Sequence, residues 1–371
     1  MTNDFKVVFD IRMLRHSGIG TYIRGLLEGM SYLPDAPKFI FWGPHRYRCE
    51  VPERLCELYV VRDFPIYSWQ EQILFPERLR FQTLFHAPHY NIPLRFRGKL
   101  VVSIHDLNHL EFSKNLPTPL HRLYARYMFG EAAARAACII ADSEFMKKEI
   151  IKKLKIAPER ISVIPLAVSP FSNGSKKSQI ASIQNIPPRY LLAVGIHKSH
   201  KNHIFLIQTL AQLWKSGRLA LPLVIAGPRE KDNEEIKTIA HKIGIAEKVF
   251  LPGYVENNQM PLLYQNAETL IFPSLYEGFG LPPLEAMHHG APVLSSNRPP
   301  MTEVLGDAAL FFNPESSDSL SEALLKLLSD SNLRAELIEK GRQNLMRFNW
   351  KKTAQATLEV YRKVLEGKPR F

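Results

Sequence analysis

The sequence predicts an α/β protein made of two Rossmann-like domains, each a doubly wound parallel sheet, facing one another across a cleft. Three observations carry that expectation. Short apolar runs alternate with helical stretches along the whole chain, which is the pattern of parallel βα units. A length of 371 residues exceeds one ordinary hydrophobic core and suggests two domains. The stretch 169–188, from Ser169-Pro170-Phe171-Ser172-Asn173-Gly174 to Pro187-Pro188, is rich in turn formers and small polar residues, and it reads as the linker between two such series.

Composition narrows the function classes. With 45% hydrophobic and 23% charged residues the chain has the balance of an ordinary globular protein. No apolar run reaches the roughly 18 residues that a membrane span needs, and Met1-Thr2-Asn3-Asp4-Phe5-Lys6 lacks the basic-then-apolar plan of a signal peptide. A cytoplasmic protein, peripheral at most to the cytoplasmic membrane face, is expected. The 3 cysteines, Cys49, Cys56 and Cys138, are an odd set without metal-ligand spacing and read as reduced thiols. The net charge of +12 is spread over both halves, which argues against a nucleic-acid-binding tail. Basic surfaces of this kind suit phosphate-rich ligands, an anionic membrane face, or plain solubility.

The first domain is placed at 1–168. Its strands are read at Lys6–Ile11, Lys38–Trp42, Leu58–Val61, Thr83–Ala87, Leu100–His105, Ala137–Asp142 and Arg160–Pro165, each a short apolar run. A loop, Ser17-Gly18-Ile19-Gly20-Thr21, follows the first strand. A helix then carries Tyr22, Ile23, Leu26, Leu27 and Met30 at helical spacing. The second domain, 189–348, has strands at Arg189–Gly195, Pro222–Gly227, Lys248–Pro252, Thr269–Phe272, Pro292–Ser295 and Ala309–Phe312. Ser319 and Glu322 read as a capping box ahead of a helix with Leu320, Ala323, Leu324 and Leu327 inward. A last helix in 349–371 lines up Trp350, Ala354, Leu358, Tyr361 and Leu365, and is expected to pack back towards the first domain.

The most informative stretch is Ser274-Leu275-Tyr276-Glu277-Gly278-Phe279-Gly280-Leu281-Pro282-Pro283-Leu284-Glu285. It reads as strand, glycine turn and helix N-terminus, with Pro in the first helical turn where an N–H is not needed. Amides and the helix dipole there suit a phosphate or sugar hydroxyls. Glu277 in the loop and Glu285 early in the helix can serve one hydroxylated ligand; the plain alternative is a capped surface helix with unrelated glutamates. The pair Gly18 and Gly20 after the first strand lacks the third glycine of a dinucleotide fingerprint, so NAD binding is not expected. A tight turn or close approach to a ligand remains. His105, at a strand end, is either a cap or a ligand contact. His86 and His89 could line an acceptor, and as a metal pair they lack an acidic third ligand. Two basic amphipathic stretches, 145–154 and 120–135, are solvated helix faces or docking elements for anionic lipid.

The frame Glu277–Glu285 resembles the Glu-x7-Glu signature of the retaining glycosyltransferases of family four, which have the GT-B fold. Further features agree, including Gly195-Ile196-His197-Lys198-Ser199-His200-Lys201-Asn202 and Glu303-Val304-Leu305-Gly306-Asp307. The resemblance implies that Glu277 contacts the donor sugar and Glu285 the ribose hydroxyls. Lys201 and Asn202 match positions at the donor diphosphate, while Ile196 stands where relatives commonly place an Arg. Gly18 and Gly20 border the diphosphate and acceptor; the main chain at Gly227 and Tyr254 meets the base; Gly278, Phe279, Gly280 and Leu281 orient the sugar; and His105 reaches that sugar from the other domain. No bound metal or other cofactor is implied, only a sugar nucleotide as co-substrate. The runs Asp10-Ile11-Arg12-Met13-Leu14 and Ser103-Ile104-His105-Asp106 look most like mannosyltransferases of polysaccharide assembly, which puts GDP-mannose first and a UDP-sugar second. The implied acceptor is a glycan or a lipid-linked glycan. A sugar-nucleotide epimerase and a non-catalytic sugar-nucleotide binder are the rival readings.

Overall fold

The computed structural model describes residues 5–62, 64, 66–113, 116, 118–168, 186–227 and 230–367. Most of the linker stretch (169–185) and Pro228 lie outside the described residues. The chain forms two compact units, Met1–Ala167 together with Phe348–Phe371, and Val168–Arg347.

In the first unit seven strands are described: β1 (Lys6–Asp10), β2 (Lys38–Gly43), β3 (Cys56–Val61), β4 (Leu84–Ala87), β5 (Lys99–Ile104), β6 (Ala136–Ala141) and β7 (Ile161–Val163). They form one sheet in the order β3-β2-β1-β4-β5-β6-β7, and every pairing is parallel. The second unit has β8 (Tyr190–Val194), β9 (Leu223–Ala226), β10 (Val249–Gly253), β11 (Ala267–Phe272), β12 (Val293–Ser296) and β13 (Leu310–Phe312). Their order is β10-β9-β8-β11-β12-β13, again with all pairings parallel. Parallel strands are covered on both faces and so read as unbroken apolar runs; Val7, Val8 and Phe9 of β1 and Leu191, Leu192 and Ala193 of β8 have no exposed surface. All thirteen strands stand where the apolar runs put them, with ends shifted by a few residues.

In each sheet the strand order reverses direction once, between β1 and β4 and between β8 and β11. At such a switch point the loops leaving the strand carboxyl ends diverge, and open α/β sheets bind ligands in the gap.

The helix Trp350–Glu366 completes the first unit. Trp350, Ala354, Leu358 and Tyr361 are buried, against the helix Ser17–Ser31. Gly25 and Gly29 make room for it: a Cβ on Gly25 would fall 2.0 Å from the Trp350 ring, and one on Gly29 would fall 2.2 Å from the Trp350 carbonyl oxygen. Lys99 Nζ donates to the Val364 carbonyl at 2.7 Å, and Thr353 Oγ1 to that of Pro165 at 2.8 Å.

Two local expectations are corrected, and an open choice is narrowed. Ser17–Thr21 is no loop but the first turn of the helix Ser17–Ser31. Gly20 is small because its Cβ would lie 2.4 Å from the Leu14 carbonyl oxygen, whereas a Cβ on Gly18 meets nothing within 4 Å. The helix Ser317–Ser329 is capped by Ser316, whose side chain accepts from the Ser319 amide, so Ser319 and Glu322 are inside the helix and form no capping box. The lysine-rich helix Glu144–Leu154 buries Met146 and Ile150, and Phe145, Ile151 and Leu154 pack on the same core. Its apolar side is therefore core, and its lysines are a solvated face.

Candidate active site

The second sheet's switch point lies between the loop leaving β8, Gly195–Asn202, and the loop leaving β11, Pro273–Gly280. Two hydrogen bonds hold these loops: the Leu275 amide donates to the His200 carbonyl at 2.7 Å, and the Ser296 side-chain Oγ, at the end of β12, donates to the Ser274 carbonyl at 2.6 Å. Between them Lys201 Nζ donates to Glu277 Oε1 at 2.6 Å, with side-chain exposures of only 18% and 12%. The ammonium also sits 5.4 Å from the centre of the Phe272 ring. A cation and a carboxylate that sequence separates by 76 residues thus form one partly dry, hydrogen-bonded pair.

After Glu277 the chain turns through Gly278 and Phe279 into the helix Leu281–His288, with Gly280 as N-cap. Gly280 has φ +93°, and a Cβ there would lie 2.3 Å from Met301 Cε; backbone conformation and space both demand glycine. A helix leaves the amides of its N-cap and first three residues unpaired. Here two of those positions are Pro282 and Pro283, so the donors that remain are the Gly280 and Leu281 amides. The amide nest is narrower than an ordinary helix N-terminus.

Glu285 follows one turn later. Tyr264, fully buried on the helix Met260–Asn266, donates its hydroxyl to Glu285 Oε2 at 2.7 Å. This fixes the carboxyl group and leaves Oε1 to accept other donors. Burial raises the Glu285 pKa above its ordinary value, and the Tyr264 hydrogen bond pulls the other way. The ribose role that the sequence resemblance implies for Glu285 needs an ionised carboxyl group, able to accept two hydroxyls. On that role nucleotide affinity should drop as pH falls through the raised Glu285 pKa, before an ordinary carboxylate of pKa ~4.3 would be protonated. Tyr264→Phe, which removes a bond to the ionised form, should move that drop to higher pH. Titration calorimetry with a nucleoside diphosphate between about pH 7.5 and 5 checks both; a flat profile in both proteins would remove Glu285 from the nucleotide site.

The remaining second-unit residues lie on the same carboxyl edge. Asn202 takes a left-handed conformation (φ 59°) and donates through Nδ2 to the Pro314 carbonyl at 2.9 Å, shaping the turn that presents Lys201. Gly227 follows β9 and Gly253 ends β10, with Tyr254 next and 70% exposed. Beside Ile196, His197 Nε2 bonds Glu235 Oε2 at 3.0 Å, and Lys198 is exposed.

In the first unit His105 directly follows β5. Its Nδ1 is 2.8 Å from Asp142 Oδ2, with side-chain exposures of 13% and 1%, and the Tyr22 ring meets the imidazole edge-on at 4.6 Å. Its Nε2 is buried and makes no hydrogen bond among the described residues. The other two histidines singled out in the sequence behave differently. His86 lies inside β4 with Nδ1 2.6 Å from the Tyr361 hydroxyl and Nε2 2.9 Å from Ser103 Oγ. Burial pushes its pKa down to about 3. It is a satisfied core residue and lines no acceptor. His89, half-buried, has Nε2 3.2 Å from the Tyr67 hydroxyl. Asp10 and Arg12 are structural as well: Arg12 is buried between Asp10 and Glu71 with its guanidinium 4.0 Å from the centre of the Trp42 ring.

Asp142 and Tyr264 are the partners that sequence reasoning missed. Neither has a local signal, because each acts across neighbouring elements on a residue 37 and 21 positions away respectively.

Comparison with known proteins agrees with this layout. Residues 17–170 match the family model Glycosyltransferase Family 4, and residues 176–344 match Glycosyl transferases group 1. The chain is 29% identical over 382 residues to the O-antigen chain mannosyltransferase B of Escherichia coli, covering 96% of this chain and 99% of that protein. It is 28% identical over 240 residues to the serotype-specific mannosyltransferase WbdA of Escherichia coli, a match that covers 63% of this chain but only 29% of that longer protein. Among solved structures, a sucrose-phosphate synthase of Thermosynechococcus elongatus superposes with a TM-score of 0.74 at 16% identity, covering 98% and 100% of the two chains. The Anabaena protein HepE, in complex with UDP and glucose, superposes with a TM-score of 0.72 at 17% identity, covering 97% and 100%. At such identities the superpositions speak for the fold.

Proposed function

Because this chain belongs to the family-four glycosyltransferases, of GT-B fold, we propose that it is a retaining hexosyltransferase that moves mannose from GDP-mannose to a growing, lipid-linked glycan in cell-surface polysaccharide synthesis. The observation that carries this reading is the Lys201–Glu277 pair at the switch point of the second sheet. Breaking a glycosyl–diphosphate bond creates negative charge on the leaving phosphate and positive character on the sugar. Lys201, with the Gly280 and Leu281 amides, answers the first, and the Glu277 carboxylate orients and stabilises the second. In a front-face mechanism the departing phosphate oxygen takes the proton of the acceptor hydroxyl as the new bond forms on the same face. No protein base is then required, and a bound metal has no step assigned to it. Mannose as the transferred sugar is supported by the likeness to the O-antigen chain mannosyltransferase. A UDP-sugar is the second donor to test.

Purified protein should be heated with GDP-mannose, UDP-sugars and free nucleotides, then assayed for transfer to a lipid-linked glycan. GDP-mannose at a hundredfold excess over its dissociation constant should stabilise by ~2.7 kcal/mol. It should be converted to GDP with an α-linked product. Stabilisation by UDP-sugars alone would replace the donor. A new free sugar nucleotide would indicate an epimerase, and binding without turnover a sensor.

The same reading places the enzyme in the cytoplasm against an anionic membrane. Among the described residues no helix is long and apolar enough to cross one. The helix Pro119–Arg135 supports docking instead: Leu120 and Leu123 are 73% and 65% exposed, Tyr127 is exposed as well, and Arg122 and Arg126 stand beside them. Co-sedimentation should be stronger with anionic than with neutral vesicles and should weaken as salt rises. Replacing both leucines with Asp should abolish it; indifference to lipid charge would remove the membrane from the proposal.

A further inference from the structure

β5 and β6 pair in register, with Ile104 opposite Ala141, so the residues that follow, His105 and Asp142, emerge side by side. Asp142 is 1% exposed, and among the described residues its carboxylate has one hydrogen-bond partner, His105 Nδ1 at 2.8 Å. Its other oxygen, Oδ1, is buried and unpartnered. A carboxylate placed in that setting costs stability, because desolvation is only half compensated. Local folding does not require it: the next helix, Glu144–Leu154, is capped by Ser143, whose side chain accepts from the Met146 amide. On the far side of the imidazole, Nε2 is likewise buried and makes no hydrogen bond of good geometry among the described residues, although the Pro88 backbone bears on the ring and favours its protonated form. The pair is thus satisfied at its centre and open at both ends, which a purely structural ion pair would not be.

We propose that Asp142 is a positioning residue for glycosyl transfer, holding His105 as an imidazolium whose Nδ1–H is bound to the carboxylate and whose Nε2–H is left as a charge-assisted donor to an oxygen of the bound substrate. This rests on the reading that His105 contacts the substrate. Burial alone would lower the histidine's pKa, but the Asp142 charge and hydrogen bond, with Asp106 and the Pro88 backbone, together raise it above its ordinary value. The other groups facing the ring leave that balance intact. Asp106 adds negative charge. Tyr22 stays neutral, since burial raises its hydroxyl pKa. Burial also keeps His86 and His89 uncharged, His89 lying well below the ordinary histidine value, with Arg12 and His16 beyond it.

The test uses the full-length enzyme, with GDP-mannose and a lipid-linked acceptor for kinetics and isotope-labelled histidine for NMR. In the wild type, His105 should titrate above the ordinary value of ~6.5, and kcat should decline as pH rises through that midpoint. Asp142→Asn keeps the shape and removes the charge. It should lower the His105 midpoint, move the alkaline decline of kcat to lower pH, and cut kcat at least tenfold with the donor KM changed less than twofold. An unshifted His105 midpoint in Asp142→Asn, or a loss of kcat that is the same at every pH, overturns the proposal. If Asp142→Asn fails to fold, the wild-type titration decides, and a midpoint at or below ~6.5 is fatal. His105→Ala separates the two layers. If it keeps full kcat, the reading of His105 itself has failed; if it loses kcat while Asp142→Asn does not, only the role of Asp142 has failed.

Discussion

Glu277→Gln should bind a nucleoside diphosphate more tightly than the wild type while transferring sugar ~10²–10³-fold more slowly. The two effects have opposite signs because, on the proposed function, Glu277 plays against Lys201 before the donor arrives and alongside it afterwards. In the free protein the carboxylate holds the Lys201 ammonium at 2.6 Å, so an incoming diphosphate must compete for that cation and approach a negative charge. Neutralising Glu277 removes both obstacles. It also removes the carboxylate that serves the positive sugar, an interaction realised mainly in the transition state. Lys201→Ala should behave as the mirror image. Diphosphate affinity should weaken by about 1.5–3 kcal/mol, the range for a hydrogen bond to a charged group, while affinity for the nucleoside alone should barely change. Calorimetry with nucleoside and nucleoside diphosphate on both variants, beside turnover, reads all of this. Equal losses for nucleoside and diphosphate in Lys201→Ala would mean that the β8 loop had collapsed rather than lost a phosphate contact.

Trp350→Ala should destabilise the first unit by about 3–5 kcal/mol, the usual cost of truncating a buried Trp. Trp350 is 5% exposed and fills the notch left by Gly25. The more telling result lies at the glycine. Gly25→Ala in the wild type should be destabilising by ~1–3 kcal/mol, because its Cβ would lie 2.0 Å from the indole. In the Trp350→Ala background the same change should become neutral or stabilising, since the clash is gone and Ala gains ~1 kcal/mol over Gly within a helix. Thermal unfolding of the four proteins gives the coupling energy directly. Additive losses would show that the two residues do not share one contact.

The architecture was legible because central parallel strands must be apolar on both faces. Runs such as Leu191-Leu192-Ala193 and Thr269-Leu270-Ile271-Phe272 therefore announce themselves, and the prolines and glycines at their ends mark the loops. Glycine was the least reliable guide. Gly18 and Gly20 looked like a loop, yet both are helical, and Gly20 is small because of the Leu14 carbonyl. Ser319 read as the cap, but a sequence pattern cannot say which side chain lies within reach of which backbone amide, and it is Ser316 that accepts from Ser319. For 145–154 the sequence left a solvated face and a docking face both open, and the burial of Met146 and Ile150 favours the first. Pairings were invisible altogether. Lys201 and Glu277 were each identifiable from their own motif, but their hydrogen bond depends on β8 and β11 being neighbours. The same is true of His105 and Asp142 across β5 and β6.

The helix Trp350–Glu366 also sets a timetable. His86 in β4 has its Nδ1 partner, Tyr361, 275 residues further along the chain, and the intervening sequence includes the whole second unit. On the ribosome the first sheet emerges early, but its covering helix is made only after the whole second unit. Until then the groove lined by Gly25 and Gly29 lacks its covering helix, and the closing contact of His86 with Tyr361 spans 275 residues. The second unit, being contiguous, meets no such delay and can complete its core first. Synthesis order and folding order should therefore be reversed, and a nascent chain halted before Asn349 should offer chaperones an open first unit beside a finished second one.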